Sequence, residues 1–243
     1  MSELTQEFAA LAAELHGDGD NAAALHRAVE LSVKYVDGCS CASITVVRDG
    51  RGHTIAASDD VARLADALQY ELDEGPCLQA AWDDANYLMF DLAGEHRWPR
   101  YAEALARRTP VRSVLSFQLP AKDSAALNLF GLQPGAFGDE AVTTGALFAA
   151  HVSSVVALYE AEEQTANLRN ALASSRQIGA AIGILMAHHR ITQDAAFELL
   201  RATSQRLQRK LRDVAERVVE TGALPPGAPP ADPGGGVASA APD

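Results

Sequence analysis

The sequence predicts an α+β fold: an antiparallel sheet with flanking helices, followed by a long helix and a bundle of three short ones. Three observations predict it. The apolar period switches between helical and strand spacing several times before residue 131. From Asp139 some 35 residues then run on without a Gly or Pro beyond Gly145. Basic residues concentrate behind that stretch, between 176 and 220.

Each element has its own signal. Leu4, Phe8, Leu11, Ala12 and Leu15 recur at helical spacing, and Gly17 and Gly19 stop that helix, giving an N-terminal helix within 1–20. A second helix spans about 21–35, with Leu25, Val29, Val33 and Val36 on one stripe. Residues 42–47 and 53–57 alternate as two strands around a turn at Asp49-Gly50. Helical spacing returns over 60–71 and 76–82, with Gly75-Pro76 between them. A short strand over 87–90, a helix over 99–108 and two strands over 112–119 and 125–131 complete the sheet. Leu115, Phe117 and Leu119 share one face of the first of these two strands, and Leu127 and Leu129 one face of the second.

In the long helix Leu158, Ala161, Thr165, Leu168, Leu172 and Ser175 step by alternating three and four, a heptad seam diluted by Thr and Ser. Two readings fit: an amphipathic helix lying on its own sheet, or a helix that continues past the sheet and pairs with its copy in a homodimer. Three helices follow. Ile178, Ala181, Ile182, Leu185 and Met186 form the stripe of the first. Thr192 caps a second carrying Ala196, Leu199, Leu200 and Thr203. The third runs from Leu207 through Leu211, Val214, Ala215, Val218 and Val219 to Gly222. Too short to stand alone in water, the three must share one small core. The expected division is 1–20 N-terminal helix, 21–160 α+β domain, 161–175 linking helix, 176–222 three-helix domain. The last stretch, 223–243, is a Pro/Gly/Ala-rich disordered tail.

With 48% apolar residues the chain has ample material for a core, and its formal charge is −12. The charge is unevenly spread: residues 1–175 hold 12 basic and 25 acidic side chains, whereas 176–220 hold 8 and 5. A small basic segment is attached to an acidic body. Cys39, Cys41 and Cys77 are odd in number and lack zinc spacing, so no disulfide framework or metal site is expected. The acidic N-terminus has no secretory pattern, and the longest apolar run, 178–187, is short of the ~20 residues a span needs. A soluble cytoplasmic protein with no membrane partner is expected.

The candidate chemistry lies in the basic segment. Arg201, Arg206, Arg209, Lys210, Arg212 and Arg217 fall outside the apolar stripe with Ser204, Gln205 and Gln208. On one continuous third helix, Arg209 and Arg212 would share a side and Arg206 and Lys210 would lie one turn apart. Guanidinium groups match phosphates and stack on unpaired bases. A solvated face neutralised by Asp213 and Glu216 fits the same pattern. No Ser/His/Asp set, phosphate loop or paired carboxylates are present in a convincing setting, so no catalytic residue is expected. Cys77 after Gly75-Pro76 fits either a buried structural thiol or one stabilised as thiolate at a helix N-terminus.

Three blocks in order, Ile182-Gly183-Ile-Leu-Met186, Ala196-Phe-Glu-Leu-Leu-Arg201 and Arg209-Lys-Leu-Arg-Asp-Val-Ala215, resemble the ANTAR family over roughly 176–220. These are three-helix RNA-binding output domains of bacterial antitermination regulators. Two positions depart from the pattern: Ile182 stands where Lys is usual, and Gln208 where Asn is usual. Residues of about 20–160 are similar to GAF domains, particularly those preceding ANTAR in actinobacterial proteins, through Glu74-Gly-Pro-Cys-Leu78, Arg97-Trp-Pro99 and the sheet pair feeding a long helix. The resemblance implies a GAF-like antiparallel sheet with a pocket for an unidentified small molecule; no cofactor is identifiable. It further implies binding to tandem stem-loops of a leader transcript through Arg201, Ser204, Gln208, Arg209, Lys210 and Arg212. Two other readings remain open: a DNA-binding regulator that places its last helix in a major groove, and a GAF-type methionine sulfoxide reductase with two thiols within disulfide reach.

Overall fold

Burying successive residues of a strand needs a cover on both faces of the sheet. A computed structural model, which describes residues 20–48, 50–83, 85–121 and 124–226, shows that cover. The N-terminal helix expected within 1–20 and most of the Pro/Gly/Ala-rich tail lie outside the described residues. The chain divides into two compact units, Met1–Glu162 and Glu163–Asp243.

In the first unit α1 (Asn21–Tyr35) begins at Asp20, whose carboxylate accepts from the Ala22 N–H at 2.9 Å. Strands β1 (Cys41–Arg48) and β2 (Arg51–Ala57) follow, turning at Gly50 with φ 72. Helix α2 (Asp60–Leu72) starts where Asp59 accepts from Ala62 N–H and ends on Asp73 in the left-handed region. Helix α3 (Pro76–Asp83), β3 (Tyr87–Met89), a 3-10 turn at Leu92–Gly94 and α4 (Pro99–Arg108) come next. Strands β4 (Ser113–Leu119) and β5 (Ser124–Gly131) complete a five-stranded antiparallel sheet in the order β2-β1-β5-β4-β3.

The two faces differ in chemistry. Ile44, Val46, Leu115, Phe117, Leu119, Leu127 and Leu129 form one apolar face. It is covered by α1 and the first part of α5 (Asp139–His189) through Phe148, Val152, Val155 and Val156. The other face carries Ser43, Thr45, Ser116 and Asn128 among apolar neighbours. Register explains their gathering: Ser43 and Ser116 both lie opposite Asn128 on β5. Gly145 of α5 lies against the apolar face so closely that an added Cβ would come within 2.5 Å of the Phe117 ring.

The second unit is built from the end of α5 with α6 (Gln193–Leu207) and α7 (Leu211–Thr221). Its core is small: Ala181, Leu185, Ala196, Leu200, Val214, Ala215 and Val218, with Ile178, Ile182, Ile184 and Leu211 packed around them.

Two expectations are corrected here. The first short helix is not separate; it is the end of the 51-residue α5, because nothing between 139 and 189 breaks the helix. Gly179 and Gly183 are absorbed in its interior with open space where a side chain would be. Met186 belongs to the exposed side rather than the core stripe, and Ile184 packs instead. The second correction concerns the basic segment: Leu207 ends α6, and a break at 208–210 precedes α7. By length and composition alone α5 is apolar enough to cross a membrane, but 44% of its most apolar stretch is buried inside the protein. The sheet-facing side accounts for that apolarity.

Candidate nucleic-acid interface

Helix α6 is fixed at both ends. Thr192 accepts from the Ala195 N–H at 3.3 Å. At the other end Gln208 turns left-handed, at φ 51 and ψ 37, and donates its N–H to the Ser204 and Gln205 carbonyls. The Arg209 N–H donates to the Ser204 carbonyl at 3.1 Å, and the Ser204 hydroxyl donates to the Arg209 carbonyl at 2.6 Å. Lys210 is then the N-cap of α7, its carbonyl accepting from Asp213 and Val214. Gly222 closes that helix with φ 73.

The six sequence-predicted residues therefore sit on one turn and its two flanking helix ends, not on one helix. Arg201 and Ser204 belong to α6, Gln208 and Arg209 to the turn, Lys210 to the cap and Arg212 to the first turn of α7. The expected pairing of Arg206 with Lys210 and of Arg209 with Arg212 on one helical face is overturned by the break. The cause is chain reversal at Gln208, which charge periodicity does not register.

The cations separate into two kinds. Arg201 donates through two nitrogens to Glu198, at 3.0 and 2.7 Å, and Arg212 contacts Asp213 at 3.3 Å. Arg217 lies 3.7 Å from Glu220. Arg206, Arg209 and Lys210 are exposed and form no ion pair among the described residues. Asp213 thus neutralises one cation, whereas the turn keeps its charge. Ser204 has a structural use, since its hydroxyl ties the turn. Gln208 stands where the backbone is left-handed, a conformation that Asn tolerates better than Gln. The Asn-to-Gln departure is thus a matter of turn geometry as well as of contact. Ile182, in place of the usual Lys, packs against the core. His188 and His189 meet edge to face at 4.8 Å at the C-terminal end of α5.

In the first unit the two sequence blocks that carry the resemblance meet in space. Glu74 Oε1 accepts from the Arg100 and Tyr101 N–H groups at the start of α4. Gln79 accepts from Trp98 Nε1 at 2.9 Å. Arg97 lies 4.2 Å over the Trp98 ring while bonding Glu95 and the Leu88 carbonyl. These residues lock α3 to α4 and are structural.

Beneath α2 and α3 the polar face of the sheet closes on Asp66. Its Oδ2 accepts from Thr54 and Thr45 hydroxyls at 2.8 and 3.2 Å, and its Oδ1 from Asn128 Nδ2 at 3.2 Å. The Tyr70 hydroxyl lies 2.7 Å from Thr45 Oγ1 and 3.1 Å from Thr54 Oγ1. Burial raises the Asp66 carboxyl to about 6, against the lowering pull of Ser43, Thr54, Thr45 and Asn128. In the helices over this face the Gln69 Nε2 and Tyr101 hydroxyl are buried with no hydrogen-bond partner among the described residues. Sequence reading missed this cluster: its residues are spread over three strands and two helices, and only register brings them together.

The cysteines are free, and burial pushes the Cys39 and Cys77 thiols up to about 12 and Cys41 higher still. That direction opposes the thiolate character needed by a thiol catalyst. Cys77 N–H is held by Gln69 Oε1 at 2.8 Å, and its sulfur lies 3.2 Å from Asn128 Nδ2, which makes it a buried structural thiol.

The GAF domain model matches residues 20–157, more than half of the chain, so this protein belongs to the GAF family. The ANTAR domain model matches residues 166–219. Together they define a sensory regulator with an ANTAR output, a regulatory rather than catalytic pairing. No curated protein matches the sequence. Among solved structures, the chain is similar to the GAF domain of a phosphoenolpyruvate-protein phosphotransferase from Coxiella burnetii, at 13% identity and TM-score 0.51. That match covers 66% of this chain and 96% of the other. A GAF domain from the Acinetobacter phosphoenolpyruvate-protein phosphotransferase matches at 14% identity and TM-score 0.47, over 66% and 97% of the two chains. A type II free methionine-R-sulfoxide reductase from Thermoplasma acidophilum matches at 13% and 0.45, over 56% and 92%. At such identities the likeness concerns the fold.

Proposed function

We propose that this protein is a cytoplasmic, signal-responsive regulator that binds tandem stem-loops in leader transcripts and promotes transcription antitermination. In this reading residues 21–160 sense, 161–175 link and 176–222 bind RNA through Arg201, Ser204, Gln208, Arg209, Lys210 and Arg212. The observation that carries it is the turn between α6 and α7. Arg206 at the end of α6 and Arg209 and Lys210 in the turn form no ion pair among the described residues, in a segment of surplus basic charge on an otherwise acidic chain. Long-range attraction cannot deliver RNA to such a molecule, so local phosphate contacts must hold it.

A homodimer supplies the second hairpin site. Leu158, Leu168 and Leu172 of the heptad seam are 45%, 64% and 53% exposed, an apolar stripe that a second copy would bury. Two linked sites raise the effective concentration of the second hairpin, which suits individually weak contacts.

The test is binding of the full chain to a tandem-hairpin RNA at two salt concentrations, beside an Arg209→Ala/Lys210→Ala variant and with duplex DNA as competitor. Wild type is expected to bind more weakly as salt rises, with about tenfold or greater loss in the variant. Equal binding by the variant, or preference for the duplex DNA, overturns the reading.

A further inference from the structure

Helix α6 leaves one large apolar side chain outside its core. Ala196 and Leu200 are fully buried and Leu199 nearly so, whereas Phe197 is 37% exposed. The three-helix core is complete without its outer face. Helical spacing of four and then three residues places Phe197, Arg201 and Ser204 in one line along α6. The two Ser204–Arg209 hydrogen bonds continue that line into the turn.

The charges beside this line are arranged asymmetrically. Next to Phe197, Arg201 donates through two nitrogens to Glu198 in a half-exposed pair, which orients its guanidinium and offsets part of its charge. Such a group is a weaker phosphate ligand but still stacks on a flat ring. Farther along, Arg209 and Lys210 keep their charge. A flat apolar surface and an oriented guanidinium plane at one end, with free cations at the other, match one unpaired nucleotide and its flanking phosphates. Paired bases offer no face to such a platform.

Building on the RNA reading, we propose that Phe197 is the stacking platform for an unpaired loop base, with Arg201 beside it and Arg209 and Lys210 on the adjoining phosphates. The platform confers the preference for loops over paired stems, and the turn confers salt-dependent affinity.

The proposal is tested on the full chain with tandem-hairpin RNA and with the same RNA closed into a continuous duplex. The proteins are wild type, Phe197→Ala, Phe197→Leu, Phe197→Trp and Arg209→Ala/Lys210→Ala, each checked for its thermal midpoint. Phe197→Ala and Phe197→Leu are expected to bind hairpins about tenfold or more weakly with an unchanged salt slope. Phe197→Trp is expected to retain affinity, with its added indole emission quenched by RNA. The Arg209→Ala/Lys210→Ala variant instead flattens the salt slope by about one to two phosphate contacts. Full affinity in Phe197→Leu overturns the platform, because bulk alone then suffices even if Phe197→Ala unfolds. Unchanged binding by Phe197→Ala overturns it while leaving the RNA reading intact. Failure of wild type to bind the hairpins overturns the RNA reading and the platform with it.

Discussion

Replacing Asp66 with Asn should stabilise the sensory unit at neutral pH. Asp66 is fully buried, and its bonding partners are neutral: Thr45, Thr54, Asn128 and Ser43. Its carboxyl titrates near about 6 instead of the ordinary 3.8. That gap corresponds to about 3 kcal/mol of native-state penalty once the group is ionised. The sign follows from proton uptake. Between about pH 4 and 6 the folded protein holds a proton that the unfolded chain has released, so stability falls as pH rises through that window and stays low above it. An amide can take the same place. Its oxygen accepts from Asn128, and its nitrogen donates to Thr45 and Thr54, whose hydroxyls swing toward Tyr70 at 2.7 and 3.1 Å.

Urea unfolding of wild type and Asp66→Asn at about pH 5 and about pH 7.5 measures the effect. Other carboxylates titrate alike in both proteins and cancel in the difference. The stability gap should favour the variant at the higher pH by about 1–2 kcal/mol, after about 1–2 kcal/mol is allowed for imperfect rebonding. It should also widen by about 1 kcal/mol between the two pH values. Parallel pH dependence in the two proteins would refute the assignment of a raised carboxyl, whatever the absolute stabilities.

Two further predictions concern backbone and packing. Gly145→Ala should destabilise the first unit by about 1–3 kcal/mol in urea, because the new methyl meets the Phe117 ring at 2.5 Å and outweighs the better helix propensity. Stabilisation by that change would show the α5–sheet contact to be looser than described. Gln208→Gly should stabilise the three-helix unit by about 1 kcal/mol, since Gln208 sits at φ 51. The check is far-UV circular dichroism during thermal unfolding, and an unchanged or lower midpoint would count against a left-handed turn there.

The fold was legible where the hydrophobic period was long and regular. Strand alternation in 112–119 and 125–131 placed Leu115, Phe117, Leu127 and Leu129 on inward faces, and all four pack on one apolar face. Helix caps were legible where residue type carried the signal, through a hydroxyl at Thr192 and a left-handed glycine at Gly222. The break at Gln208 was not, because Gln has no turn signature and apolar Leu207 and Leu211 keep a helical spacing straight across it. The Asp66 cluster was illegible for another reason: Thr45, Thr54 and Asn128 share no local pattern and meet through strand register, and the packing of α2 on the sheet adds Asp66.

These two blind spots bear differently on function. The break moves the cationic candidates off one helix face: Arg209 and Lys210 stand at a turn tied to Ser204 of α6. Their roles do not survive unchanged. On a continuous helix all six would point outward as equivalent contacts. At a capped turn Ser204 is used to hold the backbone, Gln208 to reverse the chain, and Arg201 is held by Glu198. Charge available to a phosphate then falls to Arg206, Arg209 and Lys210. Under the proposed RNA reading, three cations without ion pairs among the described residues predict a shallower slope of affinity against salt than all the basic candidates together would.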